Sequence, residues 1–541
     1  MKKLLIRIIS LLLVFSLACP VPARAQGLFS LFSDLFSEKE SDDVPVTAYA
    51  DMEYIRPDLE QMQLILEEAC RLAEGKDTSA ILDGVFAFYD AYDWFYTASA
   101  LADIRYSADL TDTYWEAEND FCTSSGPRVE QMLDTLYTAL AQSPCRRSLE
   151  WRYFGSGFFD GYDGYDGEGF WSDEMVDLME QESQLISQYY TQYRSMTTLM
   201  GRLFFRTDQV AQTLADLIQV RNQMAAWAGY DSYEAFANDC YYYRDYDPQA
   251  LADYLDRIRD TLVPLYLTVW EDVDEAEECE PSQALDYVRQ AANAMGGTIG
   301  EAFVLMDQAG LYDIEAGAHR YDTSFEIYLP SYQEPFLFLN PTGTTYDCLA
   351  LAHEFGHFCN DYASCGTMAG VDVTEVFSQG FEYLSLAYHP EAQALTRYKM
   401  ADSLSTYVEQ ACYARFEQEM YLLEEPTPEA LCNLFGTISE EYGLSDEYFS
   451  PWDFITVPHF YTNPMYIYSY IVSNDAALQL YQLECDRPGE GLALYEANLD
   501  TQQPYFMAFL EEAGLESPFA PGRLDRVAET FRQFFSAARS A

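Results

Sequence analysis

Five histidines occur among 541 residues, and two of them, His353 and His357, stand four apart with Glu354 beside the first, inside the run CLALAHEFGHF. On a helix, residues four apart project from one face about 6 Å apart along the axis, so one divalent ion can accept a lone pair from both imidazoles. Glu354 is turned by about 100° from His353, where it can reach a water on that ion without being a ligand. This is the H-E-x-x-H arrangement, in which two imidazoles bind zinc and the glutamate acts as general base. The expected cofactor is therefore Zn2+, one per chain. In a chain this poor in histidine the pattern arises by chance in only a few per thousand sequences of this length, roughly.

A catalytic zinc needs a third protein ligand and one open position. The next helix-like segment, VTEVFSQGFEYLSLAY, carries Glu375 and Glu382 two turns apart on one face. By spacing alone either carboxylate could complete the set, and the other could hold the free N–H of a ligand histidine. No H-x-x-G-x-x-H run follows, so the metzincin pattern is excluded.

These residues need a scaffold. Thr344 followed by Asp347 resembles a capping box that starts the HEFGH helix. Upstream, LEQMQLILEEACRLAEG repeats apolar residues at helical spacing and ends on a glycine. Helical periodicity continues to about 295, broken by the acidic loop GFFDGYDGYDGEGFW, which lacks the terminal glutamate of a calcium loop. The texture then changes: HRYDTSFEIYLPSYQEPFLFLNPTGTT reads as two or three short strands, Phe336 to Asn340 being the clearest, and that strand could pair with an extended peptide. Helices resume at Tyr346. The fold class is mainly α, with a small β element immediately before the HEFGH helix.

The first 25 residues run Lys2, Lys3 and Arg7, then an apolar stretch, then Ala23-Arg24-Ala25. That is the order of a secretory signal peptide cleaved near Ala25; lipoprotein processing at Cys19 is the lesser alternative. The expected divisions are signal 1–25, linker 26–50, N-terminal helical region 51–195 and catalytic region 196–541. No further segment is apolar and long enough to span a bilayer. Hydrophobic residues make up 49% and aromatics 16%, enough for a large core. Acids outnumber bases 89 to 30, a net charge of -59, which repels nucleic acid and attracts cations, including cationic peptides. Twelve cysteines show no C-x-x-C pair, and eleven remain after cleavage, so a thiol must stay free or bond a partner.

Three segments in order carry a resemblance: GAHRYDTSFEIYLPSYQEPFLFLNPTGTTYDCLALAHEFGHF, TEVFSQGFE and VPHFYTNPMYIYSYI, with a weaker echo in VRNQMAAWAGYDSYEAFA. From about Arg202 to Phe535 the chain resembles the oligopeptidases of the thimet oligopeptidase, neurolysin and oligoendopeptidase F group. The resemblance implies a neurolysin-like fold, two helical lobes flanking a deep substrate channel. It implies a third ligand 25 residues after the second histidine, which selects Glu382 and leaves Glu375 outside the ligand set; the angiotensin-converting-enzyme spacing would land on Phe381. It implies that His459 and Tyr470 donate hydrogen bonds to the oxyanion, and that Tyr466 and His319 contact substrate. The function so implied is a secreted zinc oligoendopeptidase acting on short unfolded peptides. A dipeptidyl carboxypeptidase, or a peptide-binding protein that does not turn over, are the alternatives.

Overall fold

The computed structural model describes residues 46–162, 172–197, 207–269, 277–366, 369–389, 393–445 and 449–538. The expected signal sequence, Cys19, the linker to residue 45 and most of the Asp/Gly loop lie outside the described residues.

The N-terminal region folds as antiparallel helices: α1 (Leu59–Ala73), α2 (Thr78–Ala108) and α3 (Thr113–Ala141). Each begins on an aspartate, Asp58, Asp77 and Asp112, whose carboxylate accepts from first-turn backbone N–H groups. Met62, Leu66, Ala69 and Ala73 of α1 form the buried stripe that the periodicity predicts. A second tie is polar: buried Glu130 of α3 accepts from both Tyr92 and Tyr96 of α2.

These helices enclose a small core of their own, built from residues such as Leu66, Phe88, Val129, Leu136 and Phe154. The end of α2, from Ala100 to Ile104, leaves it and enters a much larger core that holds most of the later described elements. Helix α4 (Asp173–Thr197), which periodicity groups with the N-terminal region, buries Met175, Met179 and Tyr189 in that larger core, and α5 (Thr207–Trp227) packs beside it.

The β element is a three-stranded sheet: β1 (Tyr312–Ile314), β2 (Ser324–Leu329) and β3 (Glu334–Leu339), in the order β1-β3-β2. β1 runs parallel to β3, and β2 pairs antiparallel with it from Ser324↔Leu339 to Leu329↔Glu334. β3 is thus the central strand with both backbone edges engaged, so the strand expected to receive a peptide cannot do so. β2 is an edge strand.

After the sheet come α6 (Asp347–Ser364), which carries HEFGH, and α7 (Val371–Tyr388), which carries both glutamates. The start of α6 differs from a capping box. Asp347 reaches back to the loop, its carboxylate accepting from the backbone N–H groups of Thr342, Gly343 and Thr344 at 2.8–3.1 Å. The glycine of HEFGH has a packing reason. A Cβ at Gly356 would lie 2.5 Å from the Phe377 carbonyl oxygen and 2.6 Å from Ser378 Cα, so α6 and α7 cross backbone to backbone at this point. Helix α8 (Gln393–Met420), the single-turn α9 (His459–Thr462) and α10 (Ile467–Asp486) close the larger core around that crossing, α10 lying along α7. No helix among the described residues is long and apolar enough to cross a membrane.

Candidate metal centre

His353 and His357 project from one face of α6, ring centroids 5.1 Å apart and planes at 77°. Glu375 faces both: its carboxylate is 3.4 Å from His353 Nε2 and 3.7 Å from His357 Nε2. One ligand atom from each of the three residues lies within 4.8 Å of the others, and all three side chains are buried or nearly so. His353 Nε2 has no hydrogen-bond partner, although it is buried. Two imidazoles and a carboxylate converging on one point, with a buried nitrogen left orphaned, fit a divalent cation of the zinc class.

Glu382 occupies a different place. Its Oε1 is 2.9 Å from His353 Nδ1, on the far side of the ring from the convergence point. Lys399 Nζ of α8 holds the other Glu382 oxygen at 2.7 Å and Asp402 at 3.2 Å. The geometry therefore exchanges the expected roles: Glu375 faces the two Nε2 atoms and Glu382 orients His353 from behind. Counting residues from His357 does not find the carboxylate that faces both rings, because that is set by the crossing of two helices. Glu375 and Glu382 sit on either side of the Gly356–Ser378 contact, and only the former is level with both rings.

Glu354 lies on α6 with 2% of its surface exposed and accepts a hydrogen bond from Ser324 Oγ of β2 at 2.8 Å. Burial pushes its carboxyl up to about 7, the range in which a carboxylate serves as a base near neutral pH. Burial also raises Glu375. At His353 burial acts downward, but the Glu382 hydrogen bond and the Glu375 charge outweigh it, to about 9. At His357 burial and the His353 charge hold the imidazole well below its usual range. Burial works against the Glu382 charge, but Lys399 and His353 outweigh it and lower the carboxyl.

The C-terminal residues form the opposite wall. Tyr466 donates to Glu375 Oε1 at 2.6 Å, and His459 Nε2 lies 3.2 Å from the Tyr470 hydroxyl. The rings of Tyr466 and Tyr470 are 5.2 Å apart, and each lies 5.7 Å from that of His459. Burial holds His459 down at about 4, so it is neutral at pH 7. His319 is not brought into this cluster. It is exposed on the loop after β1, and its carbonyl accepts from Leu110 N of the N-terminal region at 2.7 Å.

Three contributors went unnoticed in the sequence: Ser324, Lys399 and Asp402. The lysine and aspartate leave a trace, an i,i+3 pair inside the otherwise apolar YKMADSL of a chain short of bases. Ser324 leaves none, since strand register alone sets it opposite Glu354.

Residues 49–163 match the Peptidase M3 N-terminal domain. Comparison with curated proteins returns no match. Among solved structures the chain is similar to an X-ray structure assigned as oligoendopeptidase F, with a TM-score of 0.80, 20% identity, and 91% of this chain and 99% of that one covered. It is similar to PZ peptidase A solved with an inhibitor, at a TM-score of 0.78 and 18% identity over 90% of this chain and 99% of that one. It is also similar to a protein assigned as oligoendopeptidase F from Bacillus anthracis str. Ames, at 0.76 and 21% over 91% and 98%. At these identities the structures speak to the fold, which is the mainly helical architecture expected with its small sheet. Residues 49–163 thus match an M3 peptidase N-terminal domain, and the chain as a whole shares the fold of structures assigned as oligoendopeptidase F.

Proposed function

We propose that the protein is a secreted zinc oligoendopeptidase that hydrolyses short unfolded peptides, with His353, His357 and Glu375 as the metal ligands. One observation carries this reading: the three ligand atoms lie within 4.8 Å of one another, beside a buried glutamate whose carboxyl is raised to about 7. Zinc held there supplies a water of lowered pKa, about 7 in place of 15.7, and polarises a carbonyl.

The rest is the work of the chain. Glu354 removes the proton from the attacking water and delivers it to the leaving amine. Ser324 holds the Glu354 carboxylate in place before reaction. Glu382, anchored by Lys399, accepts the Nδ1 proton of His353 and so keeps its Nε2 lone pair for the metal. Tyr470 and His459, linked to each other, donate to the oxyanion as charge develops. Tyr466, which donates to Glu375 in this structure, would contact substrate beside that carboxylate. A peptide adds to the β2 edge, whose Ser324 contacts Glu354.

A protein that only captured peptides would have no use for a buried base beside the ligand cluster, so turnover is the reading preferred. The test is metal analysis and peptide hydrolysis of the purified mature chain. One zinc per chain, chelator-sensitive cleavage, and loss of cleavage by about 10²–10⁴-fold in Glu354→Gln with zinc retained are expected. Full cleavage by metal-free protein or by Glu354→Gln would overturn it.

A further inference from the structure

A buried arginine joins the two helices that bring Glu375 and Tyr470 to the centre, and it is itself neither ligand nor base. Arg244 follows the short helix Tyr233–Cys240, in the run YYYRDY, and its side chain is 1% exposed. The backbone is bent to deliver it there. Tyr243 has a φ of 50°, a left-handed conformation that a tyrosine does not adopt unaided. Asn238 then fixes Arg244 twice: its carbonyl accepts from the Arg244 backbone N–H at 2.9 Å and its Oδ1 from Nη1 at 2.8 Å. The guanidinium lies against two rings, 4.3 Å from the centroid of Tyr242 and 5.0 Å from that of Tyr468.

The other N–H groups reach two helices. Nε and Nη2 donate to the Asp372 carboxylate of α7 at 3.3–3.4 Å, and Nη2 also donates to Ser469 Oγ of α10 at 3.1 Å. Ser469 Oγ and the Tyr246 hydroxyl donate in turn to the same carboxylate. Tyr242 adds a third tie, donating to the Pro464 carbonyl at 2.7 Å. Asp372 stands one turn before Glu375, and Ser469 immediately precedes Tyr470. The clamp thus joins the first turns of α7 and α10, each next to a side chain of the centre. Stability does not by itself account for it, since a buried ion pair gains little or nothing over well-packed apolar side chains. What the planar fork adds is direction, because one guanidinium meets a carboxylate and a hydroxyl at fixed angles.

We propose that Arg244 is a positioning residue for peptide hydrolysis: through Asp372 and Ser469 it fixes the distance between Glu375 on α7 and the Tyr466–Tyr470 pair on α10. The proposal rests on the peptidase reading of the centre. It makes the placement of the oxyanion donors depend on a loop more than a hundred residues earlier in the chain, roughly.

The test uses the mature zinc-loaded chain, a peptide substrate and, in parallel, a phosphinic peptide whose tetrahedral group mimics the oxyanion. Arg244→Lys keeps a charge beside Asp372 but lacks the fork. Ser469→Ala removes the hydroxyl that ties the clamp to α10. Each is expected to lower kcat about tenfold, and affinity for the phosphinic peptide by a similar factor, with KM, zinc stoichiometry and urea midpoint near wild type. The double variant is expected to lose no more than Arg244→Lys alone, because both substitutions cut one path. Wild-type kcat in both single variants, losses that multiply in the double variant, or a fall in kcat that only follows a fall in urea midpoint overturns the proposal. Where Arg244→Lys does not fold, Ser469→Ala decides alone, and a wild-type kcat there is fatal. Where wild type cleaves peptides with zinc, these results remove the positioning role alone; where wild type neither binds zinc nor cleaves, the peptidase reading falls first and the positioning role with it.

Discussion

On α6 and α7 the charged groups of the centre hold one another; on α9 and α10 they are held from far along the chain. The first wall is a buried sequence of contacts, Glu375 to His353 to Glu382 to Lys399 to Asp402, built on three helices close together in sequence. The second wall has few local ties. Arg221 of α5, fully buried, donates to the carbonyls of Phe460 and Tyr461 and pairs with Glu182 of α4. Glu417 of α8 accepts from Met465 N at 2.7 Å, and Met465 has a φ of 68°, a left-handed backbone that a methionine does not adopt unaided. Asp372 at the start of α7 binds Ser469 and Tyr246. The wall of α6 and α7 thus carries its own order, whereas the wall bearing His459, Tyr466 and Tyr470 borrows its order from the core.

The sharpest way to break the first wall is to exchange the glutamates. Glu375→Gln is expected to lower zinc affinity by more than ~100-fold, and Glu382→Gln, acting through His353, by ~10–100-fold. Competition with a chromogenic chelator measures both, and a larger loss from Glu382→Gln would return that residue to the ligand set. Next, Lys399→Met removes the ammonium shared by buried Glu382 and Asp402 and leaves His353 alone against the two carboxylates. It is expected to cost about 3–5 kcal/mol in urea unfolding of the metal-free protein, with Lys399→Arg much milder.

The Glu354 carboxyl supplies a pH test of the same wall. Its value rises from 4.5 to about 7 on folding without metal. The folded chain therefore holds that proton more tightly than the unfolded one. The resulting stability is complete below pH 4.5 and is lost as pH rises through 7. Metal-free Glu354→Gln escapes this loss, so its stability relative to wild type should improve by about 3 kcal/mol between pH 4 and pH 8, read from denaturant midpoints. A pH-independent difference would contradict the buried placement of Glu354.

The smallest effect belongs to the second wall. Arg221→Met frees the carbonyls of α9, and a displaced His459 and Tyr470 should lower kcat about 10–100-fold while zinc stoichiometry stays at one. Loss of zinc in that variant would show that the walls are not separable.

His353, Glu354 and His357 were legible because an i,i+4 pair on a helix makes its own geometry. The mainly helical class and the short strands before α6 were legible for the same kind of reason, the period of apolar residues and the change to aromatic, β-prone text. The C-terminal His459 and Tyr470 were legible only as part of a resemblance, since nothing in VPHFYTNPMYIYSYI states what they face.

What the sequence determined by itself is local: which residues share a helical face, and that two imidazoles and a base lie together on α6. Tertiary structure alone decided which glutamate stands level with both rings, because that depends on where α6 and α7 cross, and the crossing is set at Gly356 by direct backbone contact. It also decided that β3 is central and β2 an edge, that His319 stands outside the cluster, and that Lys399 reaches Glu382. Each of these joins residues whose separation along the chain carries no information about their distance in space.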